Sequence, residues 1–148
     1  MRLMIEHGLH IRDGKIHAGS VEVADTAVAR AANVDRRIVR STVETILQDP
    51  SLERVFTRFL PTLDLKDVAP EIGCGVIEII PTNAGQPGIL SGVSHVIAQA
   101  GLSIRQAIVE DPDFTDQPRL FVVTEERVPG TLIPTLQDVT GVKGVTVY

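Results

Sequence analysis

The sequence predicts an α+β fold, on three observations. An Asp13-Gly14 pair stands between two short alternating segments near the start. Apolar residues recur at helical spacing from Asp25 to Leu47. From Gly75 onward the signals run strand, helix, strand, strand, helix, strand. Alternation marks strands, 3.6-residue spacing marks helices, and glycine and proline punctuate both.

Arg2 to His7 reads as the end of a helix, with Gly8 in the place of a left-handed cap. Asp13-Gly14 is a two-residue hairpin signal. It pairs Arg12 with Lys15, Ile11 with Ile16 and His10 with His17. Leu9, Ile11, Ile16 and Ala18 then share an apolar face, and His10, Arg12, Lys15 and His17 an exposed, mildly basic one. Asp25 is read as the cap of a helix with Ala24, Val28, Ala31 and Ala32 inward. Asn33-Val34-Asp35 interrupts that helix. Asp35 caps a second one, Arg36 to Gln48, with Val39, Val43, Ile46 and Leu47 inward. Two short helices joined by three residues form a helix-turn-helix candidate. Asp49-Pro50 ends the second helix, and an amphipathic helix from Leu52 to Leu60 follows.

Residues 61–74 read as a linker broken by Pro61, Pro70 and Gly73. The strands are expected at Gly75–Ile80, Leu102–Glu110, Arg119–Thr124 and Val142–Tyr148. The helices are expected at Ile89–Ala100, with Ile89, Leu90, Val93, Val96, Ile97 and Ala100 inward, and at Thr131–Val139. Ile104 and Ile108 are placed on one face of their strand, with Ser103 and Arg105 on the other. This order is the ferredoxin-like βαββαβ arrangement, a four-stranded antiparallel sheet with both helices on one face. The other face is uncovered yet apolar in part, which calls for a partner. The expected organisation is a hairpin and helix-turn-helix-like unit at 1–60, a linker at 61–74 and a βαββαβ domain at 75–148.

Composition narrows the function. Over 148 residues, 43% are apolar and 22% charged, ordinary values for a globular protein. One cysteine excludes an intramolecular disulfide framework and suits a reducing compartment. No apolar run approaches a membrane span, and the N-terminus lacks a signal-peptide pattern. A cytoplasmic protein with no membrane contact is expected. Four Phe, one Tyr and no Trp leave no stacking platform for single-stranded nucleic acid. The net charge of −5 is unevenly spread, +1 over residues 1–60 and −6 over 61–148. Any contact with phosphates therefore falls to the first part.

The second part resembles a known family. Asn83-Ala-Gly-Gln-Pro-Gly-Ile-Leu90 carries the likeness together with Ala98-Gln-Ala-Gly-Leu-Ser-Ile104, Leu120-Phe-Val-Val-Thr124 and Thr140-Gly-Val-Lys-Gly-Val145. These stretches resemble an ACT domain, the amino-acid-sensing module of many biosynthetic enzymes and regulators. With the helical unit in front, the chain resembles ACT-containing regulators of amino-acid metabolism of the archaeal type. The leucine-responsive transcription regulators are a more distant parallel. The family's loop commonly reads Asp-Arg-Pro-Gly, whereas here it reads Gly85-Gln86-Pro87-Gly88 and lacks the acid. The resemblance implies a homodimer or higher homo-oligomer, and a pocket between this loop and a neighbouring subunit.

The candidate ligand residues are Asn83, Gly85, Gln86, Gly88 and Ile89, completed by Ser103 and Arg105 on the second-strand edge. Gly88 lets backbone approach closely, and the helix start favours a carboxylate. The expected ligand is an amino acid. The alternative is a tight strand-to-helix turn with no ligand. Arg36, Arg37 and Arg40 are the candidate contacts to double-stranded DNA, since arginine reads guanine in the major groove. The alternative is a solvated helix face on a regulatory subunit that controls a biosynthetic enzyme by contact, without DNA.

No enzyme is expected. Cys74 lies between two glycines with no activating base in view. His10 and His17, even with His7, fall short of a metal site. The carboxylates Asp111, Asp113 and Asp116 cluster in one loop, where solvation is the ordinary fate. No nucleophile elbow, phosphate loop or dinucleotide fingerprint occurs, so no cofactor and no metal are expected.

Overall fold

A computed structural model describes all residues, Met1–Tyr148. The fold is α+β, with two antiparallel sheets and six α-helices. The chain divides into two compact units, Met1–Leu63 and Asp64–Tyr148. No helix is long and apolar enough to cross a membrane.

The first unit opens with α1 (Arg2–Glu6), followed by the strands β1 (Leu9–Arg12) and β2 (Lys15–Ala18). Their register pairs His10 with His17, Ile11 with Ile16 and Arg12 with Lys15. The turn sets it. Asp13 and Gly14 both take positive φ, 52° and 72°, the two-residue geometry whose twist suits a hairpin. A third strand, β3 (Val21–Glu22), pairs with β2 and places Glu22 beside His17.

Helices α2 (Asp25–Ala32), α3 (Arg36–Gln48) and α4 (Pro50–Phe56) complete this unit. Asp35 caps α3 by accepting from the Arg37 N–H at 2.8 Å. Asp49 closes α3 and caps α4, accepting from Ser51 and Leu52, so α4 begins two residues earlier than the apolar pattern indicates. Ala24, not Asp25, holds the cap position of α2. Asp25 sits in the first turn, where a carboxylate still meets the positive end of the helix dipole. Ile11, Ile16, Val28, Ala29, Val39, Val43, Ile46 and Phe56 form the core. Ala29 takes the inward position expected of Ala31 and Ala32, both of which are exposed.

The histidine pair departs from the alternating pattern. His10 and His17 are buried at 7% and 6% exposure, with rings stacked 5.7 Å apart. His17 Nδ1 lies 3.1 Å from the Lys15 carbonyl, while His10 Nδ1 has no partner. Strand alternation assigns a side chain to a face, and other parts of the unit decide whether that face meets water.

The second unit contains β4 (Gly75–Pro81), α5 (Ile89–Gln99), β5 (Ile104–Val109), β6 (Leu120–Thr124), α6 (Ile133–Gln137) and β7 (Val142–Val147). The strands lie in the order β5-β6-β4-β7, with every neighbouring pair antiparallel. Ile77, Ile79, Leu120 and Val122 pack on Ile89, Val93, Ile97 and Leu136, which sets both helices on one face. Leu90 and Ala100, expected inward, are exposed.

Two further corrections concern the opposite face and β5. Of the residues expected as linker, 61–63 fall in the first unit and 64–74 in the second. A 3-10 turn at Ala69–Ile72 and Leu65 bring Ala69 and Cys74 into a cluster with Val76, Val123 and Phe121. The Leu65 N–H also donates to Gln106 Oε1. The face expected to be bare is therefore partly covered by the chain's own segment. In β5, Ile104 pairs with Thr124 but Gln106 pairs with Val123, leaving Arg105 as an inserted residue. That bulge breaks the alternation. Ile108 pairs with Phe121, so Ile104 and Ile108 stand on opposite faces instead of one.

Candidate functional site

The carboxyl end of β4 feeds the loop that opens α5. The Thr82 N–H and hydroxyl both donate to the Gly141 carbonyl, at 2.8 and 3.0 Å. Asn83 folds the loop on itself. Its side-chain oxygen accepts from the Gly85 N–H, and its carbonyl accepts from the Gln86 N–H, both at 3.0 Å. Gly88 caps α5 in the left-handed region at φ 97°. A side chain at Gly141 would come within 2.9 Å of Gln86 Nε2 and Ile89 Cγ1, so the turn before β7 presses on the loop.

Beside this loop lies a cavity of about 130 Å³ within the second unit. Gln86, Gly88 and Ile89 line it, with Leu90, Val109 and Leu120 adding apolar surface. Glu110 and Arg119 border the same space, but the Arg119 guanidinium lies with Glu78, Phe121 and Tyr148 on the helix-free face of the sheet. Glu110 leaves β5 and Arg119 enters β6, and the two are linked directly. The Arg119 N–H donates to Glu110 Oε2 at 3.1 Å, and the Glu110 N–H to the Arg119 carbonyl at 2.9 Å.

Arg119 is itself held in place. Its guanidinium pairs with Glu78, a carboxylate only 3% exposed in the middle of β4. The Tyr148 hydroxyl donates to the other Glu78 oxygen at 2.7 Å. Both oxygens of this buried acid are thus satisfied, as burial of a charge demands. Arg119 also borders a wider cleft, about 540 Å³, whose rim carries Asp116 and Lys143.

The expected ligand residues fall into three groups. Gln86, Gly88 and Ile89 line the cavity. Asn83 and Gly85 build the turn and do not line it. Ser103 and Arg105 lie at the other end of the sheet. Ile104 is level with Thr124 and Gly75, whereas the loop leaves from the opposite end of β4. Arg105 instead points a guanidinium nitrogen at Cys74 Sγ, 3.6 Å away. Cys74 is buried, and no histidine accompanies it in the Ala69–Val76–Val123 cluster. The carboxylates of the 111–118 loop are spent partly on the loop itself, with Asp111 accepting from the Asp113 N–H. Sequence reasoning passed over Glu78, Glu110 and Arg119. The signal for Glu78 was present, a lone acid inside Gly75-Val-Ile-Glu-Ile-Ile80.

In the first unit, Arg36, Arg37 and Arg40 are exposed and line a groove of about 520 Å³ together with Lys15. Glu22, Asp25 and Glu44 line it too, so its charge is mixed. Arg37 pairs with Asp35 at 3.3 Å. Lys15 donates to Glu22 at 2.8 Å, which raises the lysine pKa and lowers that of the carboxylate.

No family model and no curated protein matches the chain. Among solved structures, one similar chain is a homoserine dehydrogenase from Thiobacillus denitrificans, at 16% identity and a TM-score of 0.39. The match covers 89% of this chain and 30% of that one.

Proposed function

We propose that this protein is an amino-acid-responsive regulator, with an ACT-type sensor in its second unit and a DNA-binding helix-turn-helix in its first. The observation that carries the reading is the cavity at the start of α5, where the first turn of the helix opens beside Ile89, Leu90, Val109 and Leu120 and Glu110 stands at the border. An α-amino acid presents an ammonium, a carboxylate and a side chain. Glu110 suits the ammonium. The N–H groups opening α5 suit the carboxylate. Glu110 would stand in for the acid missing at Gly85, the point at which the loop departs from the family pattern. The strand order β5-β6-β4-β7, with both helices on one face, also supports a ferredoxin-like sensor domain.

Regulation requires that the ligand favour one of two dimer arrangements, since equal affinity shifts nothing. The first test is thermal unfolding by circular dichroism against the twenty common amino acids, one at a time at millimolar concentration. A ligand at about 100 times its Kd adds about 2.7 kcal/mol and raises the midpoint visibly. A flat result across all twenty overturns the sensor.

The DNA half of the proposal has its own test. Replacing Arg36, Arg37 and Arg40 together by alanine is expected to weaken duplex binding. If all three meet phosphates, the slope of log K against log salt flattens by about 2–3. The mixed charge of the groove favours the second reading, a regulatory subunit that acts on an amino-acid biosynthetic enzyme by contact. Under that reading the triple variant shows the same duplex affinity and the same salt slope as the parent chain.

A further inference from the structure

We infer that the helix-free face of the sheet in the second unit binds a small organic carboxylate with an apolar body, of which benzoate is the simplest probe, and that Arg119 is its anchor. The site is separate from the loop opening α5, and the inference stands apart from the sensor reading. Its first argument is the buried pair. Glu78, 3% exposed, engages Nη1 of Arg119 through one oxygen and accepts from the Tyr148 hydroxyl through the other. Replacing a buried pair by apolar residues is often neutral or stabilising, so stability does not explain a charge in the middle of β4. What the pair does is hold the guanidinium in one place. An arginine fixed in this way loses little side-chain freedom when a ligand binds.

The second argument is what surrounds that guanidinium. It borders an open cleft walled by Pro70, Val76, Phe121 and Tyr148. Val76 and Glu78 share one face of β4, and Phe121 stands opposite Glu78 on β6. The Lys66 ammonium lies 5.5 Å from the centre of the Phe121 ring, so a second cation reaches the same cleft. Apolar walls with a few convergent polar groups are the usual build of a small-molecule site.

The third argument is the supply of donors. A guanidinium carries five N–H groups and an ammonium three. Glu78 takes one nitrogen of Arg119, and Nε and Nη2 have no protein partner. Lys66 pairs with Asp64, which does not line the cleft. Both Glu78 oxygens are already engaged, and Asp67 is the one other acid at the cleft. The cleft therefore has donors to spare, and a planar carboxylate matches the arginine fork. An apolar body attached to it would lie along Phe121 and Tyr148.

The experiment is an NMR titration of the full, isotope-labelled chain with benzoate, benzamide, acetate and benzylamine. Benzoate is expected to give saturable shifts at Lys66, Glu78, Arg119, Phe121 and Tyr148. Benzamide, which lacks the charge, and acetate, which lacks the body, are expected to bind about 10-fold more weakly or worse, and benzylamine more weakly still. The same titration on the double variant Glu78→Leu with Arg119→Leu, checked for folding by circular dichroism, is expected to lose about 10-fold or more for benzoate. Should that variant not fold, Arg119→Lys takes its place, because it keeps a cation opposite Glu78 and removes the fork. The proposal is overturned if benzoate gives no saturable shifts, if its shifts fall on residues 85–90 instead, if benzamide binds as well as benzoate, or if the folded variant binds benzoate unchanged. None of these outcomes touches the sensor reading, which the panel of twenty amino acids decides on its own.

Discussion

Arg119→Leu is expected to destabilise the second unit by about 2–3 kcal/mol, read as a lower urea midpoint with an unchanged slope. Glu78 is 3% exposed, and the variant would leave its carboxylate with the Tyr148 hydroxyl as its remaining side-chain partner. Breaking a fully buried ion pair costs about 3–5 kcal/mol. The Arg119 side chain is 37% exposed, so water reaches part of the gap and the lower figure applies. The double variant Glu78→Leu with Arg119→Leu is expected to regain most of that loss. Residue 78 shares its sheet face with Val76, Phe121 and Val123, and a leucine there joins apolar neighbours. A buried pair replaced by well-packed apolar groups is often neutral in stability. The two single variants and the double thus form a cycle whose coupling term isolates the pair. If Arg119→Leu unfolds at the parent midpoint, the pair is effectively solvated and does not anchor Arg119 on the sheet.

This pair also marks where sequence reading stopped. The hairpin register was legible because Asp13-Gly14 fixes a two-residue turn, and the turn fixes every pairing behind it. Helix α3 was legible to the residue because Asp35 caps its start and Asp49-Pro50 closes its end. Those signals are local. Glu78 and Arg119 lie 41 residues apart and meet only because β4 and β6 are neighbours in the sheet. The Glu110–Arg119 link likewise needs β5 and β6 to be in register. The buried histidines failed for a related reason, since alternation names a face and burial depends on what packs over it. β3 is two residues long, too short for any alternation to register. The bulge at Arg105 has no local marker, and it moved Ile104 and Ile108 to opposite faces. The segment at 64–74 reads as linker because it lacks periodicity, yet its apolar residues suffice to cover part of a sheet face. In the candidate site the loop at 83–89 was legible from its Pro-Gly turn. The Glu110–Arg119 link at its border was not.

Gly8→Ala is expected to be more damaging than its size suggests, at about 3–4 kcal/mol for the first unit. Two costs add. Gly8 has a φ of +60°, where a side chain costs about 1–2 kcal/mol. A Cβ there would also stand 2.6 Å from the Leu60 carbonyl oxygen and 2.7 Å from the Leu60 carbonyl carbon and Pro61 Cα. All three are backbone atoms, so relief requires moving the chain, and overpacking of this kind costs about 1–3 kcal/mol. The contact joins the turn after α1 to the residues at the end of the same unit, so a shift there displaces both. Gly14→Ala separates the terms. Gly14 has a similar φ of +72°, but a Cβ there meets nothing within 4 Å. It is expected to cost only about 1 kcal/mol. Urea denaturation of both variants measures the difference, which is the steric share. Equal losses would mean that strain alone accounts for both glycines and that Leu60 and Pro61 yield freely. A larger loss at Gly8 identifies a packed junction between the first helix and the close of the unit. A unit of 63 residues has little stability in reserve. A loss of 3–4 kcal/mol there is enough to populate the unfolded unit at 37 °C, which would appear as a second, earlier transition in the melting curve.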